Sequence, residues 1–158
     1  MNLIVIDDVI RDIDSYVEEI LAGEFKEESD GAALFKGIQV RPHNDDLARY
    51  ALAIFPECEV AYNFVRQSPI YQEEPTFVHS DKAMADITVI LYLNKEAPQR
   101  DGTTIYNNDE IKDAVIYSKY NRMLAFNSDT LHSRNIFQNF GEGDSARLIQ
   151  VVFLKDKV

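Results

Sequence analysis

From Glu57 onward the chain is a succession of short apolar or alternating stretches cut by turn-rich pieces, and this rhythm restricts the fold more than any other feature. The stretches are residues 60–66, 76–79, 87–93, 103–106, 114–117, 123–126, 133–137 and 147–154. The pieces between them, such as 94–102, 107–110, 127–129 and 139–144, carry Asn, Asp and Gly, the residues that close tight turns. Short strands at such spacing bury one face only by folding onto a second sheet. The expected core is therefore a closed β-sandwich or jelly roll.

The first third reads differently. Residues 3–6 form a short apolar strand, and Asp7 or Asp8 is placed to cap a helix after it. Val9, Ile10, Ile13, Val17, Ile20 and Leu21 recur at helical spacing, and Gly23 stops the run. Residues 24–37 read as an exposed acidic loop. A second helix is expected over 44–55, with Asn44 as its cap, Pro56 as its stop, and Leu47, Tyr50, Ala51 and Ile54 on one face. Helices first and strands afterwards make an α+β fold with the helices packed on a β core. The 158 residues suit one domain, helical over about 7–55 and rolled over about 57–154.

Charge narrows the partners. Sixteen Lys and Arg against 27 Asp and Glu leave a net charge of −11. Nucleic-acid binding and docking on anionic membranes both rest on positive charge, so neither is expected. A lone cysteine, Cys58, cannot make an internal disulfide. The N-terminus is too acidic for a signal peptide, and the longest apolar run, 87–93, is far below the ~20 residues that span a bilayer. A cytoplasmic location is the expectation.

The chain holds three histidines, His43, His79 and His132. Two share the spelling His-x-Asp. In His43-Asn44-Asp45 the polar residues are explained by the start of a helix, which leaves His43 a surface loop residue. His79-Ser80-Asp81 instead ends a short apolar stretch in the β-rich half. In a strand, residues two apart point to one face, so His79 and Asp81 can act together. His132 comes four strands later, and a roll can return a late strand beside an early one. Two His and one carboxylate on one face of an octahedral metal suit non-haem Fe(II). The three open positions take a bidentate 2-oxo acid and O₂. The far carboxylate of such an acid needs a cation, and Arg147 opens the largely apolar last strand, where a guanidinium is costly without an anionic partner. The plainer alternatives are a solvated strand end for His79 and Asp81, and an arginine reaching water beside Asp144 or Glu142.

Five blocks in order, His79-Ser80-Asp81, Thr88-Val89-Ile90-Leu91-Tyr92-Leu93-Asn94, Gly102-Thr103-Thr104-Ile105-Tyr106, Met123-Leu124-Ala125-Phe126-Asn127 with His132, and Arg147, resemble the Fe(II)- and 2-oxoglutarate-dependent oxygenases, within them the prolyl-4-hydroxylase-like branch. The resemblance implies a double-stranded β-helix, or jelly roll, with N-terminal helices bracing one sheet. It implies His79, Asp81 and His132 as the Fe(II) ligands, with Arg147 and Tyr92 on the distal carboxylate of 2-oxoglutarate. It differs in Asp101-Gly102 where relatives carry a Gly-Gly pair, and in a gap of 15 residues between His132 and Arg147, which makes Arg134 the alternative partner. Tyr62 or Tyr71 stands in for a tyrosine that relatives place before the first histidine.

The implied reaction couples oxidative decarboxylation of 2-oxoglutarate by O₂ to hydroxylation of a C–H bond. Asp81 favours hydroxylation over halogenation, since the related halogenases lack that carboxylate. The substrate is open between a small molecule and a peptide or protein side chain. Asn63 and Arg66, in the strand before the metal segment, are the candidate substrate contacts. The competing classes are a cupin-type metal enzyme, which so few histidines fit poorly, and a non-catalytic jelly-roll binding module.

Overall fold

The computed structural model describes residues 3–29, 34–74 and 76–158. Its elements in chain order are β1 (Leu3–Asp7), α1 (Ile13–Ala22), β2 (Lys26–Ser29), β3 (Leu34–Val40), α2 (Asp46–Ile54), β4 (Cys58–Ser68), β5 (Ile87–Tyr92), β6 (Gly102–Tyr106), β7 (Lys112–Tyr117), β8 (Arg122–Asn127), β9 (Leu131–Arg134) and β10 (Arg147–Asp156). A seven-stranded sheet runs in the order β1-β8-β5-β10-β4-β3-β2, and a three-stranded sheet in the order β7-β6-β9. Every pairing between these strands is antiparallel. The arrangement is a jelly roll of a large and a small sheet.

The alternation along β10 decides what each face of the large sheet does. Leu148, Val152 and Leu154 share one buried apolar cluster with Val65, Val89, Leu91, Met123 and Ala125. Tyr16 and Ile20 of α1 and Leu47 and Ala51 of α2 belong to that same cluster. Ile149, Val151 and Phe153 turn the other way, into the roll. There Ile90, Tyr92, Leu124 and Phe126 pack with Ile105 and Ile116 of the small sheet. Strand alternation thus gives the sheet one face toward the helices and one toward the roll interior.

Several local expectations change. Neither Asp7 nor Asp8 caps α1: Asp12 does, through Ser15 N, and the helix starts at Ile13 rather than Val9. Gly23 ends it as expected, its N–H donating to Ile20 O. The cap of α2 is Asp45, whose carboxylate accepts from Ala48 N, rather than Asn44. Capping needs a side-chain oxygen aimed at the N2 or N3 amide, a geometry a string of Asn and Asp residues does not choose between.

The acidic segment expected as a loop over 24–37 contains β2 and most of β3; residues 30–33 lie outside the described residues. All four residues of β2 are exposed, the charged pattern of an edge strand, which hides its pairing from a hydrophobic reading. Residues 76–79 form no strand and meet the sheet through a single bridge, His79 to His132. The stretch expected at 133–137 begins earlier, at Leu131, and stops at Arg134.

Candidate metal centre and arginine cluster

His132 sits on β9, and backbone bonds tie His79 to it in both directions: His79 N to His132 O at 3.0 Å and His132 N to His79 O at 2.9 Å. Their rings lie 4.4 Å apart, centre to centre. Asp81 is fixed by its own amide on Ser128 O at 2.8 Å, so the segment after β8 holds it. Asp81 Oδ1 is 3.5 Å from His79 Nε2, and Oδ2 is 3.2 Å from His132 Nε2. One ligand atom from each of the three residues falls within 4.8 Å of the others.

The second ring nitrogens set the tautomers. His79 Nδ1 lies 2.9 Å from Phe77 O, and His132 Nδ1 lies 3.0 Å from Thr130 O. A carbonyl only accepts, so Nδ1 carries a proton on both rings, and each ring in its neutral form offers Nε2 to a metal. Thr88 Oγ1 donates to Asp81 Oδ2 at 3.0 Å and lies 2.9 Å from Ser128 Oγ. These partners orient imidazoles and carboxylate as outer partners do around metals. Burial works to raise the Asp81 carboxyl, but the hydrogen bonds and charges of His132 and His79 override it and hold it well below the usual carboxylate range. Hydrogen bonding to Asp81 raises His79 above an ordinary histidine. Two imidazole nitrogens and a carboxylate converging in this way are a donor set that fits Fe(II).

His43 is exposed and takes no part. Cys58 is buried, and burial with Asp156 beside it pushes its thiol up to about 11, which keeps it protonated at neutral pH.

The register carries this face of the sheet away from the metal. Thr88, which bonds Asp81, is followed on the same face by Ile90 and Tyr92. Tyr92 pairs with Ile149, which pairs on its other side with Arg66, and Arg147 lies two residues before Ile149. Arg147 is 5% exposed, and its Nε lies 3.7 Å from Asp101 Oδ1. Arg66 Nη2 lies 3.3 Å from Glu74 Oε1, and Arg134 Nη1 lies 3.8 Å from Glu74 Oε2. Arg134 follows His132 on β9 and donates to Asn139 Oδ1 and Gln138 O. Burial, with Arg147 next, brings Arg134 down to about 10, and burial also lowers Arg66, against the pull of Glu74. Three guanidiniums and two carboxylates thus share one buried end of the roll.

Hydrogen bonding in this cluster is incomplete. Arg66 Nε, Arg134 Nε, Arg147 Nε, Asp101 Oδ1 and Ser68 Oγ are buried and have no hydrogen-bond partner among the described residues. Tyr92 is buried, and its hydroxyl lies 2.6 Å from Thr103 Oγ1. Gly102, after Asp101, has φ +150°, and a Cβ there would sit 1.9 Å from Ile116 O. Only glycine fits that approach of β6 to β7, whereas the position before it accommodates aspartate.

Of the candidate substrate contacts, Arg66 belongs to this cluster and Asn63 does not. Asn63 faces the helices, where its amide donates to Pro42 O and its carbonyl accepts from Gln150. Its side chain is spent on structure because the pleat puts it on the opposite face from Phe64 and Arg66. Tyr62 packs edge-on against Phe153, and Tyr71 is 77% exposed. Neither tyrosine pairs with the arginines. Glu74, in the acidic pair Glu73-Glu74 that reads in sequence as a solvated loop, instead has its side chain buried against Arg66 and Arg134. Thr88, Ser128 and Asp101 carry no signal of a site role, since hydroxyls and carboxylates are common and only the pairings between strands bring them together.

The same architecture occurs in solved structures. The non-haem α-ketoglutarate-dependent carbocyclase SnoK from nogalamycin biosynthesis superposes with a TM-score of 0.67 at 14% identity, covering 98% of this chain and 79% of that one. The epimerase SnoN of the same biosynthesis gives 0.66 at 13% identity, with 98% and 77% covered. A 2OG-Fe(II) oxygenase family oxidoreductase from Burkholderia pseudomallei gives 0.65 at 11% identity, with 96% and 84% covered. The fold is that of the 2-oxoglutarate-dependent oxygenases. No family model matches the sequence, and no curated protein matches it. No helix among the described residues is long and apolar enough to cross a membrane.

Proposed function

We propose that this chain is a non-haem Fe(II) dioxygenase that uses 2-oxoglutarate and O₂ to hydroxylate a small molecule or a peptide or protein side chain. The single observation that carries this reading is the pair of Nδ1–H groups anchored on backbone carbonyls, which aims two Nε2 lone pairs and the Asp81 carboxylate at one point. The shared fold supports it. Bound there, Fe(II) would allow O₂ to act as the oxidant, with 2-oxoglutarate giving two of the electrons and ending as succinate and CO₂.

The chain's own residues do the rest. His79, Asp81 and His132 would hold the metal on one face and leave the other open. Arg147 would take the distal carboxylate, whose partner a buried guanidinium requires, with Tyr92 and Thr103 closing that end. Phe126, buried with its ring centre 4.9 Å from that of His132, would keep water from that ligand. The two helices would brace the far face of the large sheet, as their shared apolar cluster indicates.

Hydroxylation is the outcome proposed, in keeping with the blocks that resemble the prolyl-4-hydroxylase-like branch and with Asp81 filling the third ligand position. The second reading is a rearrangement on the same centre, since the similar SnoN and SnoK are named an epimerase and a carbocyclase. We place the protein in the cytoplasm on its single cysteine and short apolar runs, and without a nucleic-acid partner on its net charge of −11. Anaerobic addition of Fe(II) and 2-oxoglutarate should give a weak visible charge-transfer band that a binding module lacks. Succinate release against a panel of metabolites and peptides then reads the substrate, and mass spectrometry of the product separates a gain of oxygen from a rearrangement.

A further inference from the structure

The arginine end holds more charge than one co-substrate carboxylate needs, and the surplus is cancelled from within the chain. Arg66, Arg134 and Arg147 are 22%, 15% and 6% exposed at their side chains, and Glu74 and Asp101 are 8% and 3% exposed. Three positive against two negative charges leave one positive charge. Arg122, whose charge also reaches Tyr92, is engaged by Asp7 at 2.7 Å and adds none.

Glu74 is placed for this role by a built contact chain. Gln72 Nε2 donates to its Oε1 at 2.7 Å, and Asn139 Nδ2 donates to Gln72 O at 2.7 Å. Asn139 Oδ1 at the same time accepts from Arg134 at 2.9 Å. One asparagine thus fixes both the carboxylate's segment and one of the guanidiniums it faces. None of the three ion pairs is also a hydrogen bond, and all three Nε atoms lack acceptors. The cluster is close to balanced in charge and short of acceptor oxygens. A carboxylate supplies both deficits with two oxygens and one charge. A dianion would leave a net negative charge in a buried place, which is costly.

We propose that Glu74, with Asp101, sets the arginine cluster at one positive charge and so makes it a selector for singly charged carboxylate ends over dianions of similar size. The proposal rests on the reading above that this end receives the distal carboxylate of 2-oxoglutarate. Glu74 is then a specificity-determining residue that acts through the guanidiniums.

Sulfate is the probe, because it stays a dianion. The Mn(II)-loaded full chain is titrated with 2-oxoglutarate by calorimetry, with sulfate as competitor and chloride at matched ionic strength as control. In the unaltered protein sulfate should displace 2-oxoglutarate no better than chloride. In Glu74→Gln sulfate should compete about tenfold better or more, and Glu74→Asp should behave as the unaltered protein. Arg66→Gln, which brings the cluster to zero, should weaken 2-oxoglutarate about tenfold. Sulfate competing in the unaltered protein, Glu74→Gln leaving the competition unchanged, or Arg66→Gln leaving affinity unchanged would each overturn the proposal. Absence of metal-dependent 2-oxoglutarate binding in the unaltered protein would instead sink the functional reading. Direct sulfate titration of the unaltered protein, Glu74→Gln and Glu74→Asp still reads the charge of the cluster in that event: a gain in Glu74→Gln alone supports the selector, and equal binding overturns it.

Discussion

Two buried polar clusters lie on opposite faces of one sheet and are finished to different degrees. On the helix side, Asp45 Oδ2 accepts from Arg41 Nε at 3.1 Å and from Gln150 Nε2 at 2.9 Å. The Tyr16 hydroxyl lies 2.7 Å from Gln150 Oε1 and 3.1 Å from Asp45 Oδ2. Gln150 reaches Asn63, and Arg41 reaches Gln39 and Glu19. No side-chain atom of that network is left buried without a partner among the described residues. On the inner face the arginines, Asp101 and Ser68 hold five such atoms. Unmet buried groups are costly, so a chain that satisfies one cluster fully and leaves the other starved is built to lock the first and fill the second.

The largest expected effect tests the roll interior at the proposed metal ligands. His132→Ala should abolish Fe(II)-dependent succinate release, and metal titration of the same variant should show the site lost. Retained turnover would remove His132 from the ligand set. The next breaks the helix side. Asp45→Ala strands Arg41, Gln150 and an α2 amide, and should cost about 3–5 kcal/mol in urea unfolding. A loss under about 1 kcal/mol would mean that the network is no lock.

A smaller effect separates the two clusters directly. The double variant Arg147→Met with Asp101→Asn removes a poorly bonded buried pair. Ligand-free stability should stay within about 1 kcal/mol, because such pairs barely offset their own desolvation. Calorimetric 2-oxoglutarate affinity should meanwhile fall roughly thirtyfold. A stability loss as large as that of Asp45→Ala would erase the distinction between the clusters.

The smallest effect is in pH. Burial raises the Glu74 carboxyl, but Arg66 and the hydrogen bond from Gln72 outweigh it and leave it below the ordinary 4.5. A depressed carboxyl contributes stability above its unfolded value and loses it as pH falls through the folded one. Glu74→Gln should therefore flatten the acid limb of unfolding below about pH 4, by about 1 kcal/mol. An unchanged acid limb would show that Glu74 is not held by the arginines.

How far the sequence was legible follows from what each feature depends on. The strands at 87–93, 103–106, 123–126 and 147–154 were readable because their apolar residues face a sheet partner, whatever that partner is. β2 was not, since an exposed edge strand of Lys, Glu and Ser has no hydrophobic signature. His79, Asp81 and His132 stood out because three histidines make each one informative, and the structure brings these three residues together. Arg147 and Arg134 looked like alternatives at the sequence level. The fold puts both into one cluster, Arg134 beside Glu74 and Arg147 beside Asp101, as a choice between strand ends cannot foresee.

The sequence by itself determined the alternation of short strands and turns, the two amphipathic helices and the scarcity of metal-binding side chains. Those are local properties, written in periodicity and composition. Only the tertiary structure decided that Asn63 belongs to the helices and Arg66 to the arginine cluster. It also decided that Glu74 and Asp101 face three arginines, and that one buried cluster is complete and the other is not. The reason is register: neighbouring residues of a strand point to opposite faces, and which face meets which partner is fixed by pairings between strands distant in sequence.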